Sequence, residues 1–348
     1  MDTSVELTER ERDVLRAIIQ DYILSAEPVG SRSVARKYGL HLSPATIRNI
    51  MADLAELGYL DQPHTSAGRV PTDRGYRVYV DSLMNRRPLT RAEESIIARQ
   101  FRPARGEVGD LMREVTKLLS GFSRAVGVIL APRMDQLAVK RIEFFHLSGE
   151  RVLVILIATS GQVHHKMVIL DEVIPQDELN RIARLLNTLV EGMSLSRVRQ
   201  LLVKKMAEEK AMYDELLRRA LTLGQKTFGG EHEGEVYIGG TANIMDQPEF
   251  ADIEKMRSIF AAFEETSKLV KILDLCVTQE GLTTIIGSEN VIRELQRLSL
   301  VMAPYWCGEQ LLGTLGVIGP TRMEYSRIIP FVDFTAKLVS RHLTEVAS

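Results

Sequence analysis

The segment SPATIRNIMADLAELGYLDQPHTSAGRVPTDRGYR, residues 43–77, decides the fold of the amino-terminal part of the chain. Ser43 followed by Pro44 indicates a helix start, because serine caps free backbone N–H groups and proline lacks the N–H that would be unsatisfied there. Apolar residues then recur at helical spacing until Gly58, which ends the helix. The predicted helix therefore has an apolar face for a core and a polar face for solvent or a partner. The apolar face consists of Ile47, Ile50, Met51, Leu54 and Leu57.

A short hairpin is predicted directly after this helix. Residues 59–62 and 69–71 favour two strands, and the segment PHTSAG between them contains Pro63 and Gly68, which break regular structure. A hairpin in this position is called a wing. Its hydroxyl and backbone N–H groups can contact DNA phosphates, and Arg69 can enter a narrow minor groove.

Two further helices are predicted before this segment. Thr8 and Glu11 form the pattern of a capping box, which opens a helix. Residues 31–39, SRSVARKYG, favour a second, short helix capped by Ser31 and ended by Gly39. This short helix, the turn GLHL and the helix that follows have the spacing of a helix-turn-helix, whose second helix enters the major groove of DNA. A three-helix unit with a hairpin also occurs as a protein-binding module, so the pattern alone leaves both functions open.

The polar face of the last of these helices carries side chains that match the edges of base pairs. Arginine can bond guanine O6 and N7, asparagine can bond adenine N6 and N7, and a threonine or alanine methyl can meet the thymine methyl. We expect Arg48 and Asn49 to discriminate bases, and Arg32, the wing and Arg74 or Arg77 to contact phosphates. The predicted DNA-binding residues are Ser31, Arg32, Ser43, Ala45, Thr46, Arg48, Asn49, His64, Thr65, Ser66 and Arg69.

The composition is that of an ordinary globular protein. The 348 residues are 45% hydrophobic and 26% charged, and this length suits two or three domains. The formal net charge of −2 argues against nonspecific binding of nucleic acid by the whole chain. Between Arg32 and Arg77, however, seven Lys and Arg residues against four Asp and Glu residues leave a local charge of +3.

Localisation is also indicated by the composition. No run of about 18 apolar residues predicts a membrane span, and the charged amino terminus is unlike a secretion signal. Cys276 and Cys307 lack CxxC spacing, which argues against a disulfide framework or structural zinc. We therefore expect a cytoplasmic protein with no membrane association, metal or cofactor.

The remainder of the chain predicts strands, then helices, then strands again. This order suggests an α+β domain split by an inserted helical module. The first strands are predicted at 126–130, 139–147, 152–158 and 163–170, the helices at 177–191 and 195–224, and later strands at 282–287, 299–306 and 312–318.

Three blocks of sequence resemble the heat-inducible transcription repressor HrcA family of bacteria. They are PVGSRSVA (28–35), residues 43–81 and GTLGVIGPTRMEYSRIIPFVDF (313–334). The resemblance implies a DNA-binding repressor of chaperone operons in the heat-shock stress response. It implies a homodimer that binds double-stranded operator DNA at an inverted repeat called CIRCE. It further implies inactivation by heat and maintenance of the active form by the GroE chaperonin.

The resemblance also implies a multidomain α+β fold. A winged helix-turn-helix domain would be followed by a GAF-like domain that is interrupted by an inserted dimerisation domain. Placed on this chain, 1–88 would be the winged-helix domain with a connecting helix, and 175–240 the dimerisation domain. Residues 89–174 and 241–348 would be the two parts of the GAF-like domain.

Two other functions stay open as alternatives. One is a ligand-sensing regulator that binds a metabolite in the GAF-like pocket, although no cluster of polar residues identifies a ligand. The other is an enzyme that uses Cys307 or His165. His164 and His165 are adjacent on a predicted strand, so their side chains should lie on opposite faces and not share a metal. The glycines of GTLGVIGP, 313–320, predict a bulge or a close backbone approach instead of a phosphate-binding loop.

Overall fold

The computed structural model describes residues 7–347 except for 65–66, 86, 103–107, 133–137, 160–162, 191, 195–196, 199, 202–203, 205–214, 229–234, 246, 251 and 278–280. The helices are α1 (Glu9–Ser25), α2 (Ser31–Lys37), α3 (Pro44–Glu56), α4 (Asp73–Val78, continuing as a π-helical turn over Tyr79–Leu83), α5 (Arg91–Gln100), α6 (Val108–Ser123), α7 (Gln176–Val190), α8 (Glu215–Phe228), α9 (Ala242–Met245), α10 (Ile253–Glu264), α11 (Thr266–Val277) and α12 (Tyr325–Ala347). The strands are β1 (Leu60–Asp61), β2 (Val70–Pro71), β3 (Val126–Leu130), β4 (Val139–Ser148), β5 (Arg151–Ala158), β6 (Val163–Ile169), β7 (Val236–Gly239), β8 (Thr283–Ile286), β9 (Leu298–Cys307) and β10 (Gln310–Pro320).

The first three helices pack around a shared apolar core. Ile18 of α1, Val34 of α2, and Ile47 and Leu54 of α3 are fully buried in it. The buried residues Ile47, Met51 and Leu54 recur every three or four residues along α3, which is the spacing that places side chains on one face of a helix. The two strands of the wing pair antiparallel after α3, so the predicted winged helix-turn-helix is confirmed.

Five strands form one antiparallel sheet in the order β7-β3-β10-β9-β8. Alternate residues of β9 face two different cores. Val301 and Tyr305 pack with α6 and α12, in a core that is continuous with that of the winged helix. Leu300 and Met302 pack on the opposite face with α10 and α11. The sheet is therefore the middle of three layers, and the winged helix lies on its α6 and α12 side.

Strands β4, β5 and β6 form a separate sheet with its own core, together with α7 and α8. Phe144 and Val154 of this sheet share the core with Ile182 and Leu186 of α7 and with Leu221 of α8. We call these five elements the inserted unit.

The predicted domain boundaries do not coincide with these cores. The boundary at 174/175 would divide the inserted unit, because its sheet buries its apolar face on the helices that follow. The boundary at 240 would include β7 in the insert, whereas β7 pairs with β3 in the five-stranded sheet. The core therefore places the start of the insert before β4 and its end before β7. The GAF-like description of the remaining domain stays a prediction.

Most other predicted elements are present. Strand β3 has the predicted bounds, and a register shift between Leu311 and Gly313 confirms the bulge predicted in β10. The connecting helix predicted within 1–88 ends at Leu83. Half of the residues of the helix predicted at 195–224 lie outside the described residues, and 215–224 lie within α8.

Candidate nucleic-acid interface

The start of α3 is fixed by the cap that the sequence predicts. Ser43 Oγ accepts a hydrogen bond from the backbone N–H of Thr46 at 3.0 Å, and Pro44 occupies the first helical position. The hydroxyl groups of Ser43 and Thr46 are also 2.8 Å apart and hydrogen-bonded. Both hydroxyls therefore help to hold the helix end and are exposed beside it.

The outward face of α3 presents polar side chains to solvent. Ala45, Arg48 and Asn49 are exposed, while Ile47 and Leu54 on the opposite face are fully buried. Within the described part of the chain, neither Arg48 nor Asn49 has a hydrogen bond or ion pair. The guanidinium and carboxamide groups are therefore free to bind groups from another molecule.

The short helix α2 is held against α1 by a buried carboxylate. Asp21 of α1 is only 5% exposed, and it accepts hydrogen bonds from Lys37 Nζ at 2.7 Å and from Ser33 Oγ at 3.1 Å. A buried carboxylate must be paired in this way, because removing it from water is costly. This contact engages the ammonium group of Lys37, whereas Arg32 and Arg36 of the same helix are exposed.

The wing is joined to the segment before α2. The backbone groups of Val29 and Arg69 exchange two hydrogen bonds, each of 2.9 Å. Gly68 allows this approach, because a Cβ at that position would lie 2.4 Å from the Val29 carbonyl oxygen. The guanidinium of Arg69 is held by Gln62 Oε1, and Gln62 Nε2 in turn donates to the carbonyl oxygen of Ala67 at 3.1 Å. The wing is thus braced by backbone bonds to Val29 and by side-chain bonds within the hairpin.

Other predicted residues of the wing have different surroundings. His64 is exposed at the tip of the hairpin. Thr65 and Ser66 lie outside the described residues.

Three residues expected at the DNA surface are placed differently by the structure. Ser31 is 7% exposed and is the first residue of α2, whose cap is Gly30, so it is not the helix cap that the sequence predicts. Arg74 Nη1 donates to the carbonyl oxygen of Leu57 at 3.1 Å. Arg77 forms an ion pair with Glu289. Arg74 and Arg77 therefore have intramolecular partners that compete with phosphate.

The residues considered for catalysis do not form a cluster in the described structure. Burial alternates along β6, with His165 exposed and His164 half-buried, which confirms that they lie on opposite faces. Cys307 Sγ contacts the carbonyl oxygen of Leu343 at 3.7 Å. Among the described residues, no three His, Cys, Asp or Glu side chains are placed to hold a metal ion. Nor does any described helix have the length and apolarity needed to span a membrane.

A cleft of about 220 Å³ lies between the end of α1 and the start of α12. Its lining includes Ile23 and Leu24 from the winged helix and Phe122, Arg124 and Arg327 from the adjoining layer. Pockets for small metabolites usually have volumes of about 300–1,000 Å³. The volume of this cleft is below that range, so the cleft itself does not favour binding of a metabolite.

Two family descriptions match different parts of the chain and together cover most of its length. Residues 6–83 match a family described as the winged helix-turn-helix transcription repressor, HrcA DNA-binding. Residues 109–329 match the HrcA protein C terminal domain. A crystal structure of a hypothetical protein shares the fold, with a TM-score of 0.63 and 23% identity over 98% of this chain and 100% of that chain.

Relatives with assigned names match nearly the whole chain. The heat-inducible transcription repressor HrcA of Geobacter sulfurreducens is 46% identical, over 97% of this chain and 98% of that protein. That of Syntrophobacter fumaroxidans is 45% identical, over 98% of each. These relatives are named as repressors and not as enzymes, which confirms the predicted regulatory class. The chain belongs to the HrcA family of heat-inducible transcription repressors, and its first three helices and wing are the DNA-binding domain of that family.

Proposed function

We propose that the chain represses chaperone operons by binding the CIRCE inverted repeat as a homodimer. The observation that carries this proposal is the outward face of α3, where Arg48 and Asn49 are exposed and have no partner among the described residues. Two such faces related by a two-fold axis would contact two half-sites, because an inverted repeat has the same symmetry.

The contacts with DNA divide into two kinds. Arg48 and Asn49 would contact base edges, since their side chains are exposed on the helix that enters the major groove. Exposed Arg32 and the braced Arg69 would contact the backbone or minor groove and supply affinity that falls with salt. The hydroxyl groups of Ser43 and Thr46 lie at the helix start, where phosphates commonly bind.

The exposed face of the inserted unit supports the homodimer. On this outer sheet face, Phe145 of β4 is 41% exposed, and Met167 and Ile169 of β6 are 52% and 64% exposed. Leu153 of β5 pairs with Phe145 on one side and Met167 on the other, so these residues form one continuous patch. Contiguous exposed apolar residues of this kind are typical of a surface that binds another protein. Helices α7 and α8 of the inserted unit pack on the other face of this sheet and are not part of the proposed dimer surface.

Heat control would follow from dissociation or partial unfolding of the dimer. Heating lowers the free energy of unfolding, and exposure of the outer sheet face would give a form prone to aggregate. The GroE chaperonin would return such molecules to the DNA-binding form and so raise the active fraction. This cycle would take place in the cytoplasm, where operator DNA is present.

Footprinting tests the operator assignment. We expect protection of both arms of the inverted repeat upstream of the chaperone operons and upstream of the gene for this chain. Protection of a single arm would contradict the dimer, and equal protection of unrelated DNA would contradict operator specificity.

Heating tests the control mechanism. We expect operator occupancy to fall after a heat step and to recover when GroE and ATP are added. Full occupancy after heating without chaperonin would contradict this part of the proposal.

A further inference from the structure

Helix α4 is bonded to the recognition helix. Thr72 Oγ1, at the cap of α4, donates to the carbonyl oxygen of Gly58 at 2.7 Å. Arg74 Nη1 donates to the carbonyl oxygen of Leu57 at 3.1 Å. Both carbonyl groups lie at the carboxyl end of α3, so α4 and the recognition helix are joined by short, directional bonds.

Other side chains of α4 bind the five-stranded sheet. The turn 287–289 directly follows the edge strand β8. Asp73 Oδ2 accepts a hydrogen bond from the Ser288 backbone N–H at 2.8 Å. Arg77 Nε donates to Glu289 Oε1 at 2.7 Å, and Arg77 Nη2 bonds to the second oxygen of the same carboxylate. We call these two contacts, Asp73–Ser288 and Arg77–Glu289, the clasp.

The turn is shaped to accept α4. Gly287 has φ of +51°, and a Cβ added there would lie 2.3 Å from Asp73 Cγ, so only glycine fits. Glu289 Oε2 also accepts a hydrogen bond from the backbone N–H of Ile286 at 2.8 Å. This bond within the turn holds the carboxylate in the orientation that faces Arg77.

The arginine is equally constrained. Arg77 Nη2 donates to the Thr284 carbonyl oxygen at 2.7 Å. Its hydrogen bond with Glu289 raises the pKa of the Arg77 guanidinium above its usual range. The side chains of Arg77 and Glu289 are 30% and 36% exposed, so salt screens the pair only in part.

The clasp differs in kind from the apolar contact beside it. Tyr76 of α4 packs against Tyr325 of α12, with ring centroids 6.2 Å apart. Such burial holds two layers together without fixing their relative angle closely, because the hydrophobic effect is non-directional. A two-pronged arginine–carboxylate pair restricts geometry as well as adding energy. The clasp can therefore define the orientation of the winged helix on the α4 side, while Arg322 Nη1 bonds to the Ile23 carbonyl oxygen at 3.3 Å on the α1 side.

We propose that the clasp sets the angle between each winged helix and its sheet, and that Asp73, Arg77 and Glu289 thereby determine which half-site spacing the dimer accepts. This inference rests on the proposed function, in which two recognition helices bind one inverted repeat. Half-sites in such operators lie about 34 Å apart, or at a multiple of that distance. Since α4 is bonded to α3, a change of angle at the clasp moves the recognition helix with it.

The experiment compares the wild type, Glu289→Gln and the control Asp333→Asn. The control removes the charge of another exposed carboxylate, which pairs with Lys337 on α12 away from the clasp. Each protein is titrated against the inverted repeat with its natural spacer, against spacers one to three base pairs longer or shorter, and against a single half-site. Thermal unfolding of each protein verifies that it is folded.

We expect Glu289→Gln to bind the natural repeat about tenfold more weakly than the wild type. Its preference among spacers should be flatter, while its affinity for a single half-site should be unchanged. Asp333→Asn should match the wild type throughout. A wild-type spacer profile for Glu289→Gln would overturn the proposal, as would an equal loss on the half-site, which would place the effect in the recognition surface.

A distance measurement separates the clasp from the proposed function. Spin labels at Arg36→Cys and Glu309→Cys, with Cys276 and Cys307 replaced by serine, report the distance between the winged helix and the sheet in protein diluted with unlabelled chains. We expect a narrow distribution that broadens with Glu289→Gln; an unchanged distribution would contradict the clasp. A wild type that binds all spacers equally would instead contradict the dimer on an inverted repeat.

Discussion

The outward face of α3 and the outer sheet face of the inserted unit are both exposed, but their chemistry is opposite. The first presents Arg48 and Asn49, whose donors and acceptors can match base edges. The second presents Phe145, Met167 and Ile169, whose burial is favourable but carries little direction. The comparison teaches that exposure alone does not identify a partner. The side-chain chemistry of each face indicates DNA for one and protein for the other.

The largest expected effect concerns the apolar face. Met167→Glu would place a carboxylate on edge strand β6 within the outer sheet face, beside Leu153 of the central strand. An unpaired charge buried at an interface costs about 3 kcal/mol or more, so we expect the dissociation constant of the dimer to rise at least about 100-fold. Sedimentation velocity measures this change. Lys271→Gln, which makes the same change in net charge on exposed α11, should leave the dimer intact.

If Met167→Glu remained as dimeric as the control, the apolar face would not be the protein-binding surface. The comparison of this face with the outward face of α3 would then no longer describe a protein-binding and a DNA-binding surface.

The next effect concerns the support of the DNA-binding face. Asp21→Ala should lower the free energy of unfolding by about 2 kcal/mol, because it removes a buried acceptor that holds Lys37 and Ser33. Urea denaturation measures the loss. Asp13→Ala on the same helix removes a half-exposed pair with Arg16 and should cost less than about 0.5 kcal/mol. Equal losses would mean that α2 is not positioned by the buried carboxylate.

A smaller effect is expected at the cap of α3. Ser43→Ala should destabilise the winged helix by about 1 kcal/mol, whereas Ser43→Gly should cost only about 0.3 kcal/mol, since glycine is tolerated at this position. Urea denaturation of the two variants separates the cap from the loss of a surface hydroxyl. If both variants bound operator equally weakly despite this difference in stability, Ser43 would act on DNA directly and not through the cap.

A labelling experiment distinguishes the layers that heat opens. Burial raises the pKa of the Cys276 thiol to about 11, so at neutral pH the thiol is protonated and shielded. We expect iodoacetamide to label partly exposed Cys307 first and Cys276 only when the layer beneath β9 and β10 opens. Mass spectrometry during a temperature ramp follows both. Labelling of Cys276 before operator binding is lost would show that this layer opens before the protein is inactivated, which would contradict the expected order.

The same shift gives a pH dependence. Because the folded state disfavours the thiolate, stability due to Cys276 is complete below the ordinary pKa of about 8.5 and declines as the pH rises toward about 11. A Cys276→Ala variant should lose less stability over that interval. An identical alkaline decline in both proteins would assign it to the buried tyrosines.

The winged helix was predictable because its signals are local. The capping box of Thr8 and Glu11 is present, with Thr8 N–H and Glu11 Oε2 2.7 Å apart, and Ser43 caps α3. Each of these signals acts within one turn of helix, so a single sequence contains all the information needed. The candidate residues Arg48 and Asn49 were predictable for the same reason, since helical periodicity places them opposite Ile47 and Leu54.

The remaining organisation depends on distant pairs that periodicity does not contain. Strand β3 lies between β7 and β10, which are more than a hundred residues further along the chain, so the boundaries of the insert could not be located from its strands alone. Arginine is a residue type that often contacts phosphate, yet Arg77 pairs with Glu289, which lies in the other domain. Ser31 has the identity of a helix cap, but tertiary packing buries it and leaves that position to Gly30.

The most direct test of the DNA-binding face is a set of operators in which each base pair is changed in turn, titrated with the wild type, Arg48→Ala and Arg69→Ala. We expect Arg48→Ala to lose about 1–3 kcal/mol on the intact operator and to become indifferent to the base at one position in each half-site. Arg69→Ala should weaken binding to all sequences alike. An Arg48→Ala protein with the affinity and base preferences of the wild type would contradict the assignment of α3 as the recognition helix.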